Sequence, residues 1–157
     1  MSLLIEIPGG VTLSLEHLVL DYNGTLGLDG HLLEGIADRI AALAAHLQIH
    51  VLTADTFERA RAELADTRCG VIVLERGNEP RQKADYVDRL GPAVCAAIGN
   101  GRNDVEMLAK AALAIAVLGD EGLASDALAA ADIVAPNPVS ALDLLLRPKR
   151  IAATLRS

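Results

Sequence analysis

Aromatic residues are nearly absent from this 157-residue chain, which has no tryptophan, two tyrosines and one phenylalanine. Its 52% apolar fraction rests largely on alanine and leucine, a composition that suits helices packed on a sheet. Cations are also scarce, with 14 Lys and Arg against 21 Asp and Glu and a net charge of -7. No basic patch with interleaved aromatics occurs, which argues against nucleic-acid binding. The densest basic cluster, Arg147-Pro148-Lys149-Arg150, reads as a solvated tail. No apolar run approaches the roughly 20 residues that span a bilayer. The first residues lack a basic segment and a small-residue cleavage site, so no secretion signal is expected. The two cysteines, Cys69 and Cys95, lie in or beside apolar runs. They read as reduced, buried small hydrophobes. These absences predict a soluble cytoplasmic protein that binds neither membrane nor nucleic acid.

What remains is a regular alternation. Apolar segments at 3–7 and 11–15 flank Pro8-Gly9-Gly10 and predict an N-terminal β-hairpin. Strands are expected at 17–20, 49–52, 71–74, 94–98, 113–118 and 133–134. Helices are expected along the 33–47 stripe, from Asp55 and Glu58 to about 65, and over 82–90. Further helices are expected over 104–111, 125–130 and after Asn137-Pro138. Asn103 is the expected cap of the 104–111 helix. Strands alternating with helices predict a three-layer α/β fold, a parallel Rossmann-like sheet with helices on both faces. No repeat or linker divides the chain, so residues 1–157 read as one domain.

Some polar residues serve neither core nor solvated face: Asp21, Asn23, Thr25, Thr53, Lys83, Asn100, Asn103 and Asp104. Most follow a strand directly, so they converge on the edge where open α/β sheets bind ligands. Lys83 is expected at a helix start, near enough to reach in. Singly, each has an ordinary reading as a turn, a cap or a solvated group. Together they suit phosphoryl chemistry. Lys83 supplies a positive charge, Thr53 a hydroxyl donor, and backbone amides after Asp21 a small nest. Magnesium prefers oxygen ligands, which Asp21 and the 100–104 loop offer. Asp21 can then attack phosphorus and form an aspartyl phosphate. His46 and His50 are four apart, but a helix end is expected between them. His17 and His31 have no evident partners.

In this order, the segments resemble the four motifs of the haloacid dehalogenase-like superfamily. Thr53-Ala54-Asp55 and Gly99-Asn100-Gly101-Arg102-Asn103-Asp104 are similar to segments of the phosphorylation domain of P-type ATPases and its small soluble relatives. The resemblance implies that Asp21 is the nucleophile and a magnesium ligand, with the Asn23 carbonyl as a second ligand. It implies phosphate binding by Thr53, Ala54, Lys83 and Asn103. Asn100 falls where the family carries a magnesium-binding Asp, and Asp104 would orient Lys83 or assist the metal. Asn23 stands where phosphatases of the family carry the acid that protonates the leaving group and activates water. Such help is worth about 10²–10⁴ in rate. A magnesium-dependent phosphohydrolase or phosphotransferase of slow turnover is therefore expected. The alternatives are a non-catalytic phosphate- and magnesium-binding module and a dehalogenase. The 32 positions from Asp21 to Thr53 and the 30 from Thr53 to Lys83 leave no room for a cap domain. Capless members often form oligomers, so a homo-oligomer acting on a phosphorylated substrate is expected.

Overall fold

The computed structural model describes residues 1–54 and 57–157. An antiparallel hairpin of β1 (Leu3–Glu6) and β2 (Thr12–Leu15) comes first. Strand β3 (His17–Asp21) leads into a second, two-residue-per-arm hairpin, β4 (Gly27–Leu28) and β5 (His31–Leu32), and then helix α1 (Ile36–Leu43). Next come β6 (Gln48–Thr53), α2 (Phe57–Glu63), β7 (Gly70–Val73) and α3 (Glu79–Leu90). Strand β8 (Cys95–Gly99) precedes a 3₁₀ turn at Arg102–Asp104 and α4 (Val105–Lys110). The chain continues through β9 (Leu113–Val117), α5 (Ser125–Ala130), β10 (Ile133–Ala135), α6 (Pro138–Leu146) and α7 (Pro148–Leu155).

The main sheet has six parallel strands in the order β10-β9-β8-β3-β6-β7. The expected three-layer α/β fold and N-terminal hairpin are both present. Strand alternation divides the core in two. Leu18 and Leu20 of β3 face α1, α2, α6, α7 and the N-terminal hairpin, where Ile36, Ile40, Leu142 and Ile151 are buried. Val19 faces α3, α4 and α5 beside Leu52, Val87, Ala97 and Met107. Asp21, two residues beyond Val19, lies on this second face and so meets α3. Aliphatic packing leaves little slack in either layer: Leu18, Val19 and Leu20 have no measurable exposure. Among the described residues, no helix is long and apolar enough to cross a membrane.

Several expectations need correction. The helix bearing Lys83 begins at Glu79, with Pro80 in its first turn. Proline is favoured there because its missing N–H would have no helical partner. Lys83 therefore sits in the second turn rather than at the start. Asn103 lies inside the 3₁₀ turn and does not cap α4, whose N-cap is Asp104. The basic cluster at 147–150 is no tail: it opens α7, which buries Ile151 against the core, and Ser157 N–H donates to Pro8 O at 3.1 Å. Pro148 is the first residue of this helix and, like Pro80 in α3, lies in a first turn. Cys95 is buried as expected, but Cys69 is half-buried. The capping pair of Asp55 and Glu58 has its first member outside the described residues.

The histidines also have partners that the sequence concealed. His17 Nδ1 and His50 Nε2 share a hydrogen bond of 3.1 Å across β3 and β6, and His50 Nδ1 shares another with Tyr86 Oη at 2.9 Å. His31 lies 3.8 Å from Glu63. Burial, and then the neighbouring His17, lower the His50 pKa to about 4. The folded chain thus favours neutral His50, whereas an unfolded chain protonates it near the ordinary value of about 6.5. The stability this contributes is complete above pH 6.5 and is lost as pH falls towards 4. The urea midpoint is expected to drop between pH 7 and pH 5, and to drop less in His50→Gln. Equal drops in both proteins would remove His50 from the account.

Candidate active site

The order β8-β3-β6 brings three strand ends side by side. Asp21 ends β3, Thr53 ends β6, and Asn100 follows β8. Helix α3 lies over this edge and sends Lys83 down into it. Lys83 Nζ donates to Asp21 Oδ1 at 2.7 Å and to Asp104 Oδ1 at 2.8 Å. All three side chains are buried, with exposures of 5% for Asp21, 2% for Lys83 and 0% for Asp104. Charges this deep persist only when paired. Two carboxylates share one ammonium, so the cluster carries excess negative charge.

Asp104 is held by more than Lys83. Its Oδ2 accepts from the amides of Asn100 and Gly101, both at 3.0 Å. A side chain on Gly99 could not coexist with this, since a Cβ there would lie 2.6 Å from the Asp104 carboxyl. Both Asp104 oxygens are thereby engaged, which fits a residue that orients Lys83. Thr25 Oγ1 lies 3.1 Å from Asp21 Oδ2 and 3.2 Å from Asn100 Oδ1. A hydroxyl has one proton and can satisfy one of these acceptors at a time. An oxygen-rich point with excess negative charge is what a hard divalent cation would bind. The residues present thus fit magnesium.

Burial and the Asp104 charge push the Asp21 carboxyl up to about 7, with Lys83 and Thr25 pulling against them. Burial works to lower the Lys83 pKa, but Asp21 and Asp104 outweigh it and hold the ammonium above the usual lysine range. Lys83 therefore stays charged at every pH at which the protein would work.

Above this cluster is a pocket of about 110 Å³ lined by Asp21, Asn23, Thr53, Ala54, Lys83 and Asn103, with Glu79 also at the wall. Ligand pockets for drug-sized molecules run from about 300 Å³ upward, so this one encloses only a small reacting group. Asn23 Nδ2 donates to Thr53 Oγ1 at 3.4 Å. The predicted residues Asp21, Asn23, Thr53, Ala54, Lys83 and Asn103 thus share one cavity, and Thr25, Asn100 and Asp104 support its floor. The amide nest expected after Asp21 does not form. Tyr22 N–H donates to Leu52 O, Gly24 N–H to Gly27 O, and the amides of Thr25, Leu26 and Gly27 all donate to Tyr22 O. The donors of residues 24–27 are thus used within the loop, and that of Tyr22 by β6.

A family model described as haloacid dehalogenase-like hydrolase matches residues 7–112. The chain belongs to the haloacid dehalogenase-like hydrolases. An uncharacterized protein of Methanocaldococcus jannaschii is 50% identical over 60 residues, which is 38% of this chain and 64% of that protein. The chain therefore spans less than two thirds of this curated relative. The 3-deoxy-D-manno-octulosonate 8-phosphate phosphatase of Moraxella catarrhalis, solved with magnesium and phosphate, shares the fold. Its TM-score is 0.65 at 14% identity, over 88% of this chain and 92% of that one. A zinc-transporting PIB-type ATPase matches with a TM-score of 0.61 at 25% identity, over 78% of this chain and 20% of the pump. The fold is thus that of the family's phosphatases and of the P-type ATPase phosphorylation domain.

Two acidic residues stand outside the predicted set of this haloacid dehalogenase-like chain, Glu79 at the pocket wall and Glu63 beside Tyr22. Glu79 lines the pocket, and reading Pro80 as a first-turn residue would have placed it on the same helix as Lys83. Tyr22 Oη donates to Glu63 Oε2 at 2.8 Å, and the Leu32 amide donates to the same oxygen, so Glu63 ties β5 to the strand end. No local pattern at position 63 announces this.

Proposed function

We propose that the chain is a magnesium-dependent phosphohydrolase or phosphotransferase acting through an aspartyl phosphate on Asp21. The observation that carries this is the buried Lys83 ammonium clamped between Asp21 and Asp104 at the base of a small polar pocket. In the first step an Asp21 oxygen bonds to phosphorus and the bond to the leaving oxygen breaks. Lys83, Thr53 and Asn103 would hold the phosphoryl oxygens. Asp21, Asn100 and the Asn23 carbonyl would hold magnesium, which would supply charge to neutralise the phosphoryl group and favour ionised Asp21. Asp104 would fix Lys83 and the 100–101 turn. Asn23 has no acidic proton to give, so the leaving oxygen must be a weak base or take its proton from water. Acyl phosphates and other activated phosphates are therefore the favoured donors, and water attack on the aspartyl phosphate is slow.

We further propose that the domain works without a cap. A short hairpin and one helix occupy the stretch between β3 and β6, which leaves the pocket mouth to be covered by a second copy or by the substrate itself. The experiment is acetyl phosphate labelling with magnesium, read by intact mass. A hydroxylamine-sensitive gain of one phosphoryl group is expected, absent with EDTA and absent in Asp21→Asn. No label and no release of phosphate from p-nitrophenyl phosphate would defeat the proposal. A second reading, a phosphate- and magnesium-binding module without turnover, is favoured by the amides at Asn23 and Asn100. Calorimetry showing both ligands bound by a protein that never labels would establish it.

A further inference from the structure

We infer that Glu121 supplies the cation-facing carboxylate that an amide at position 100 does not, an inference that rests on the magnesium-dependent reading above. Strand β9 lies beside β8, so the loop that follows β9 runs along the loop that follows β8. Two hydrogen bonds fasten them. Ala124 N–H donates to Asn100 O at 2.9 Å, and Asn100 Nδ2 donates to Gly122 O at 3.3 Å. The turn between is closed by Gly122 N–H donating to Gly119 O at 2.9 Å. This arrangement swings the Glu121 carboxylate toward the site.

Gly24 shows how close it comes. A Cβ on Gly24 would lie 2.7 Å from Glu121 Oε2, 2.8 Å from Asn100 Nδ2 and 3.2 Å from Asn100 Oδ1. The carboxylate and the amide therefore both lie against the backbone of the loop that follows Asp21. Gly24 has a φ of 77°, where glycine is at ease and other residues are strained. The same residue type suits both the backbone and the space.

The two substitutable positions are chemically complementary. An aspartate at position 100 would have no N–H for Gly122 O, and its charge would repel Glu121. Asparagine keeps one oxygen beside the Thr25 hydroxyl that also reaches Asp21, while its NH₂ holds the Glu121 turn. The negative charge is moved from position 100 to position 121 rather than removed. Glu121 is exposed, which suits contact through the waters that magnesium commonly keeps. It acts as a positioning residue for the cation, not as a group that touches the phosphoryl.

The test is magnesium titration by calorimetry on the full chain and on Glu121→Gln, Asn100→Asp and the double variant, with melting in EDTA as a control of folding. Glu121→Gln is expected to weaken magnesium binding by about tenfold or more, the scale seen for outer residues of metal sites. Its melting point in EDTA is expected to stay that of the parent. Adding Asn100→Asp to Glu121→Gln is expected to recover most of the affinity, since a carboxylate returns to the site. Parent-like binding in Glu121→Gln would overturn the inference and leave the magnesium-dependent reading standing. A loss that the double variant does not recover would assign Glu121 a merely structural role and also overturn it. A parent protein that binds no magnesium would defeat the inference and the reading together.

Discussion

Lys83→Met is expected to destabilise the chain by about 3–5 kcal/mol, the usual cost of stranding the partners of a buried charge. The methionine would fill the space but leave Asp21 and Asp104 facing each other with no cation between them. Asp104 would retain its two amide donors, and Asp21 would retain the Thr25 hydroxyl. Neither donor carries charge. The loss is expected to be greater at pH 8 than at pH 5. The repulsion raises the Asp21 carboxyl pKa further, so one proton added there at low pH relieves it. Urea denaturation at the two pH values measures this directly. Adding Asp104→Asn should restore part of the lost stability at pH 8 without restoring acetyl phosphate labelling. A Lys83→Met protein as stable as the parent at pH 8 would mean that the two carboxylates are not both charged there.

Asn23→Asp is expected to raise steady-state phosphate release by about 10²–10⁴, the range typical of general acid–base catalysis. The exchange is nearly isosteric, and residue 23 already lines the pocket beside Asp21 and Thr53. A carboxyl there can give its proton to the leaving oxygen and later take one from the attacking water. The parent is expected to accumulate phosphoenzyme in a burst, and the variant to turn over without accumulating it. Rapid-quench labelling and phosphate release on the same samples separate the two steps. Faster labelling with unchanged release would mean that water cannot reach the aspartyl phosphate. No change in either would favour the binding-module reading.

Most of the frame was legible because its signals are local. Apolar runs such as 18–20 and 94–98 read as strands buried on both faces, and acids or threonines at their ends meet at one edge once the strands are parallel. The site residues followed from that edge. What the sequence hid was either a matter of boundaries or of long-range register. Pro80 and Pro148 each lie in the first turn of a helix, which moves Lys83 inward from the expected start at 82 and makes the basic cluster the opening of α7. His17 and His50 touch only because β3 and β6 pair in one particular register. The amide nest failed for a reason no spacing reveals, since the amides of residues 24–27 bond within the loop and that of Tyr22 bonds β6. Glu121 had no motif at all. Its place depends on the neighbouring strand and on the side chain of a residue 21 positions earlier.

Strand β3 lies at the middle of the sheet, between β6 and β8. Its partners arrive late: Leu20 pairs with Val51 on one side and with Ile98 on the other. Closing the second of these contacts requires a long loop, which is entropically slow. On a ribosome, Asp21 emerges early but cannot be enclosed until residue 104 is free to fold over Gly99. Until then the strand has an open edge, and Asp21 is bathed in water like any exposed carboxyl. The chemistry proposed for Asp21 thus depends on β8 and the turn after it, and a chain stalled before β8 would hold Asp21 without its buried partners.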